Sequence, residues 1–222
     1  MTLSAAMREY LAEIYRLQEY EPMVSTTSLA DKLEVSPPAV PRMLKRLRNV
    51  GLVHHVPYEG VTLTERGEHE ALKELRRHRV LEVFLVQVMG FNWDDAHEHS
   101  HELGHGLNDA VAERMAEMAG QPDRCPHGEP IPNVDGVMPD FYDTCINNLG
   151  VGQQGVVSRV RTHDGEKLRY LATLGVKPGE SFEIVGRAPF NGPMRLKIGR
   201  DEQVVGSELT KSLWVTPEAV GK

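Results

Sequence analysis

Apolar residues recur at helical spacing through the first fifty positions, then give way to shorter alternating runs. Between residues 5 and 19, Met7, Leu11, Ile14 and Leu17 fall on one face and predict an amphipathic helix. A break follows at Glu21-Pro22. Thr26 and Thr27 are placed to cap a second helix carrying Leu29, Ala30 and Leu33. Ser36 is an N-cap candidate and Pro37 suits a first helical position. Val40, Met43, Leu44, Leu47 and Val50 then form one apolar stripe, which Gly51 can end. Pro41 lacks a backbone donor, so an irregular first turn is expected there. The run LVHHVPYEGVTLTERG reads as two short strands around Tyr58-Glu59-Gly60.

Helix, helix, basic helix and two-stranded wing is the order of a winged helix-turn-helix. From about 65 to 90 a long helix is expected, densely apolar in its second half (Val80, Leu81, Val83, Phe84, Leu85, Val88), as a core or dimer contact requires. Asp94 or Asp95 starts a further helix running to about Met118. Residues 120 to 140 are rich in Gly and Pro and read as loop. From 150 to 216 the pattern changes to β-like runs with Gly-rich turns, and LRYLATLG is the single helical piece expected. The fold class is therefore mainly α with a small β domain. A winged helix-turn-helix domain is expected over 1–74, a helical domain over 75–145, and an SH3-like β-barrel over 146–222.

Composition narrows this only slightly. The chain has 222 residues with 40% apolar and 26% charged, an ordinary globular mix. It shows no apolar run long enough for a membrane span and no signal-peptide core, so a cytoplasmic protein without a membrane partner is expected. Two cysteines, Cys125 and Cys145, cannot make a disulfide framework, which fits a reducing compartment. The net charge of −7 argues against nucleic acid, but local charge is the better statistic. Arg42, Lys45, Arg46 and Arg48 lie in RMLKRLR with no acid among them.

On an isolated helix those four basic residues would fit a solvated face equally well. The preceding helix and the following wing favour double-stranded DNA. Ser36, Pro37, Pro38 and Arg42 stand at the start of the basic helix, where side chains reach base edges in the major groove. Arg42 suits a bidentate contact to guanine. Lys45, Arg46 and Arg48 suit phosphates, and Tyr58 at the wing tip suits the DNA backbone. Thr26 and Thr27 open the supporting helix and complete the DNA-facing candidates.

The stretch HEHSHELGH carries the metal chemistry. His97, His101 and His105 are spaced by four and form one stripe, each about 6 Å further along a helix. Glu98 and Glu102 form a neighbouring stripe. His78 with Glu82, and Glu9 with Glu13, repeat the spacing on other helices. Cys125 and His127 lie two apart in RCPHGEPIP. A lone His or an exposed Glu pair is usually structural, but three His in register point to a metal. HELGH also spells the zinc-protease pattern, in which Glu102 would be the general base. The extended protease form fails, because Asn108 and Val111 stand at its Gly and second His positions.

The motifs REYLAEIY, SPPAVPRMLKRL, RHRVLEVFL, DDAHEHSHELGH, CPHGEPIP and LATLGVKPGESFEIV, in this order, resemble the diphtheria-toxin-repressor family over nearly the whole chain. The last also resembles the small FeoA-type domain. The resemblance implies a homodimeric, metal-activated transcription repressor of manganese or iron homeostasis that binds operator DNA and is not an enzyme. It implies a first metal set of Glu9, His78, His101 and His105, and a second of Glu82, His97, Cys125 and His127, with Asp164 reaching in from the THDGE turn. The carboxylate at Glu9, where iron-type members carry Met, favours Mn²⁺ over Fe²⁺, Zn²⁺ and Co²⁺. The sequence departs from the family pattern at His101 and at Gly104, where relatives carry anionic ligands. Glu13 or Glu102 is then the candidate replacement. Pro41 also departs, in the recognition helix. The alternatives are a zinc metalloprotease and a metal-independent or redox-sensing DNA-binding regulator.

Overall fold

The structure is a computed structural model that describes residues 3–104, 106–162 and 164–218. It comprises two compact units. The first contains Met1–His78, Leu103–Val111 and Ile131–Pro139, and the second contains Arg79–Glu102, Ala112–Pro130 and Asp140–Lys222.

In the first unit, α1 (Ala5–Gln18), α2 (Thr26–Lys32) and α3 (Ala39–Asn49) precede a hairpin of β1 (Val53–Val56) and β2 (Gly60–Leu63). The periodicity of α1 and α3 is realised as burial. Leu11, Ile14, Leu29, Val40, Leu44, Leu47 and Leu52 form one core. Val24 joins the hairpin as a third segment, exchanging backbone hydrogen bonds of 2.9 and 3.0 Å with Val61. The caps differ from those expected. Ser25, not Thr26 or Thr27, caps α2, accepting from the Ser28 N–H at 2.9 Å. Helix α3 begins two residues after Pro37, with Pro38 at the cap position and Ser36 in the preceding turn. Pro41 thus falls in the first turn, where no N–H has an intrahelical partner, so the helix is regular despite it.

Helix α4 (Glu65–Gln87) starts at Thr64, whose hydroxyl accepts from the Gly67 N–H at 3.0 Å. Its first turns are held in the first unit by charge. Arg8 of α1 and Arg77 both bond to Glu74, and Arg77 also reaches Asp109. Residues 131–139 strap over the same surface. Met138 packs against Ala12, Leu72 and Leu75, and Arg76 donates to the Pro132 carbonyl at 2.9 Å.

The single helix expected from 94 to 118 is two helices, α5 (Ala96–Gly104) and α6 (Asp109–Met118). Gly104 and Gly106 flank the break, and glycine costs about 1 kcal/mol in a helix interior. Asn108 then caps α6 through the Val111 N–H at 3.0 Å.

The second unit holds a six-stranded antiparallel sheet in the order β3-β8-β4-β5-β6-β7. Its strands are β3 (Thr144–Cys145), β4 (Gln154–Val160), β5 (Ser181–Arg187), β6 (Met194–Ile198), β7 (Asp201–Val205) and β8 (Leu213–Pro217). Inward positions Val157, Ile184, Leu196, Leu213 and Val215 pack with Leu168 and Leu171 of α7 (Gly165–Thr173). A second short helix, α8 (Ser207–Thr210), joins the expected one. A bulge leaves Ser158 of β4 unpaired with β8. Among the described residues, no helix is long and apolar enough to cross a membrane.

Candidate metal centre and nucleic-acid interface

The basic helix presents its charge to solvent. Val40, Leu44 and Leu47 of α3 are buried, whereas Arg42, Lys45, Arg46 and Arg48 are exposed on the other side. Ser36, Pro37 and Pro38 are exposed before its start, and Thr27 is exposed on α2 with Thr26 half-buried. Tyr58 stands at the wing turn with a backbone φ of 69° and a fully exposed ring. Such a turn raises the aromatic clear of the hairpin.

In the second unit, four donors named from the sequence converge. Glu82 of α4 is 1% exposed, and its carboxylate lies 2.9 Å from His97 Nδ1 of α5. His127 Nδ1 approaches the same carboxylate at 3.6 Å and lies 3.9 Å from Cys125 Sγ. Donor atoms of Glu82, Cys125 and His127 all fall within 4.8 Å of one another. Burial and the facing Glu82 carboxylate push the Cys125 thiol up. Burial opposes charge on His127, but its hydrogen bonds to Cys125 and Glu82 outweigh this and push it up to about 11.

A buried carboxylate is costly to leave uncompensated, and with no ion bound the protonated His127 supplies the facing charge. Oxygen, nitrogen and sulfur donors together suit a divalent transition metal, so the residues fit the ion. His127 is also oriented for that role. Its Nε2 bonds to the Trp93 carbonyl at 2.8 Å, which leaves Nδ1 aimed at the cluster.

The loop bearing Cys125 and His127 is pinned to the barrel. The Val160 N–H donates to the His127 carbonyl at 2.9 Å. Gly128 adopts φ 85° and lies so close to the bulge that a Cβ there would sit 2.0 Å from the Ser158 carbonyl oxygen. The bulge and the glycine are therefore two halves of one close approach. The segment before α5 is tied down similarly, with Arg169 of α7 donating to Asp94 at 3.0 Å.

The other sequence candidates are distributed differently. Glu9 and His78 belong to the first unit and His101 to the second, while His105 lies outside the described residues. Glu13 is paired with Arg16 at 3.0 Å, and Glu102 is exposed. Asp164 does not join the Glu82–Cys125–His127 cluster. Its carboxylate caps α7, accepting from the Glu166 and Lys167 N–H groups at 2.9 and 3.2 Å. An Asp just before a helix is a strong cap, and Asp164 fills that local role here. Sequence reasoning missed the supporting groups: the Trp93 carbonyl, Glu129 and Arg159. Only the acid in CPHGEP hinted at them.

Known proteins place these observations. Residues 2–61 match the model of the iron-dependent repressor N-terminal DNA-binding domain, and 64–133 match that of its metal-binding and dimerisation domain. Residues 144–217 match the FeoA domain. The diphtheria toxin repressor of Corynebacterium glutamicum is 31% identical over 186 residues, covering 79% of this chain and 82% of that protein. An uncharacterized HTH-type transcriptional regulator of Methanocaldococcus jannaschii is 39% identical over 114 residues, 51% of this chain and 91% of its own length. A solved manganese-dependent transcriptional repressor in complex with manganese superposes with a TM-score of 0.88 at 33% identity, over 95% of this chain and 99% of that one. No support remains for the protease reading of HELGH. The chain belongs to the diphtheria toxin repressor family of metal-dependent transcriptional repressors.

Proposed function

We propose that this repressor answers to Mn²⁺ and uses two metal sets per subunit. The second set is Glu82, His97, Cys125 and His127, and the observation that carries it is the buried Glu82 carboxylate facing both imidazoles and the thiol. The first set is Glu9, His78, His101 and His105, supported by spacing and by family pattern. The carboxylate at Glu9 favours Mn²⁺, as does the likeness to a solved manganese-dependent repressor. Cys125 and the imidazoles of the second set are softer and bind Zn²⁺, Co²⁺ or Fe²⁺ more tightly when these are offered.

A bound divalent ion supplies positive charge and directional bonds to donors that otherwise repel or stay protonated. The chain's own residues do the rest. Glu9 and His78 stand on α1 and α4, which also frame the winged-helix core, so occupancy of the first set biases how α3 is presented. Arg42 reads bases while Lys45, Arg46 and Arg48 bind phosphates. Neutralising carboxylates also lowers the repulsion between an acidic protein and DNA. Exposed Val88, Met89, Phe91 and Met118 support a homodimer, which doubles the recognition helices on the operator. The division 1–74, 75–145 and 146–222 carries the DNA-binding, dimerisation and barrel roles.

Operator gel shifts across Mn²⁺, Fe²⁺, Zn²⁺ and Co²⁺ test this. Binding should be strongest in Mn²⁺ at physiological concentrations and lost with chelator. Equal operator affinity in Mn²⁺ and in chelator would sink the proposal.

A further inference from the structure

The loop carrying Cys125 and His127 also carries a carboxylate that neither the DNA surface nor the donor set uses. The Glu129 side chain is 13% exposed and meets the Arg159 guanidinium at 3.1 Å and those of Arg79 and Arg161 at 3.4 Å. Arg79 stands on α4, three positions before Glu82, and also donates to the Pro130 carbonyl. Arg159 belongs to β4 and is itself fixed, donating to both oxygens of Asp143 at 2.7 and 2.8 Å. One carboxylate thus gathers the helix that bears Glu82, the loop and the barrel strand.

A plain stabilising ion network is the competing reading. The backbone points further. The Glu129 carbonyl accepts from the Cys125 N–H at 2.9 Å, closing the turn that presents both donors. The His127 carbonyl is bonded to Val160, between Arg159 and Arg161. The charge network and the donor turn are the same few residues.

We propose that Glu129 is a positioning residue of the second metal set. Its carboxylate locks the Cys125–His127 turn against α4, so that Sγ and Nδ1 face Glu82 before any ion arrives. This rests on reading Glu82, His97, Cys125 and His127 as a metal set. Preassembly spares the ordering cost on binding, and losing such an outer partner typically weakens metal affinity about 10–100-fold.

The test is a Co²⁺ titration of the full-length protein, following the thiolate-to-cobalt charge-transfer band, with circular dichroism to check the fold. Cys145 is the only other cysteine, and its sulfur contacts the Thr210 and Lys211 carbonyls, so the band reports Cys125. Wild type shows the band and C125S lacks it. E129Q should weaken Co²⁺ binding by about tenfold or more and alter the band, with partial recovery in E129D. R161Q, which removes one of the three guanidiniums, should show a smaller loss. A folded E129Q with wild-type affinity and band overturns the proposal. If E129Q does not fold, R161Q decides, and wild-type affinity there overturns it. A wild-type protein with no band that C125S removes overturns both this proposal and the metal reading beneath it.

Discussion

Replacing Gly128 by alanine isolates how closely the loop carrying Cys125 and His127 must approach the barrel. The added Cβ would stand 2.0 Å from the Ser158 carbonyl oxygen and 3.0 Å from Arg159 Cα, both on backbone that cannot rotate away. The first distance lies about 1 Å inside the closest contact that real Cβ atoms make. The φ of 85° adds strain for any residue with a Cβ, of about 1–3 kcal/mol. To relieve the overlap the loop must lift, which breaks the bond from Val160 to the His127 carbonyl. Leaving those groups unpaired costs about 1–3 kcal/mol more. We expect a total destabilisation of about 2–6 kcal/mol, read by chemical denaturation. Because His127 and Cys125 move with the loop, Co²⁺ affinity of the second set should fall as well, read by the charge-transfer titration. Stability within about 0.5 kcal/mol of wild type, with unchanged Co²⁺ affinity, would refute the close-approach reasoning, since surface substitutions free of such contacts cost no more than that.

Other expectations follow from the same geometry. Lys45→Gln and Arg46→Gln should each reduce the slope of log affinity against log salt by about 0.9 if each neutralises one phosphate, measured by fluorescence anisotropy on operator DNA. Arg42→Ala should instead relax base discrimination by about 1–3 kcal/mol, measured against operator variants with metal still bound. Leu44→Ala opens a cavity in a fully buried site and should cost about 2–5 kcal/mol in denaturant unfolding, with no direct effect on the second metal set. His127, held near 11 without an ion, is protonated at neutral pH, and its Nδ1 must release that proton to act as a ligand. Co²⁺ affinity of the second set should therefore rise from pH 6 to pH 8, with protons released on loading that calorimetry in buffers of different ionisation enthalpy will detect. A pH-independent affinity would count against His127 as a ligand.

The sequence by itself determined the order of winged helix, helical region and barrel, because period 3.6 and period 2 patterns mark which face of each element is buried. It also determined the polarity of α3, where an apolar stripe leaves the basic residues nowhere to go but solvent. Local rules failed where two residues competed for one role. Ser25 took the cap assigned to Thr26 and Thr27, and two glycines split the helix drawn from 94 to 118. Spacing listed donors without saying which would meet. Only the tertiary structure set Glu82 against Cys125 and His127, some forty residues later in the chain, and turned Nδ1 rather than Nε2 of His127 inward through the Trp93 carbonyl. The same holds for Glu129, which in sequence is one acid in a polar turn. Periodicity reports the face a side chain takes, whereas its partner depends on loop closure, and that is set by packing such as Gly128 against the Ser158 bulge.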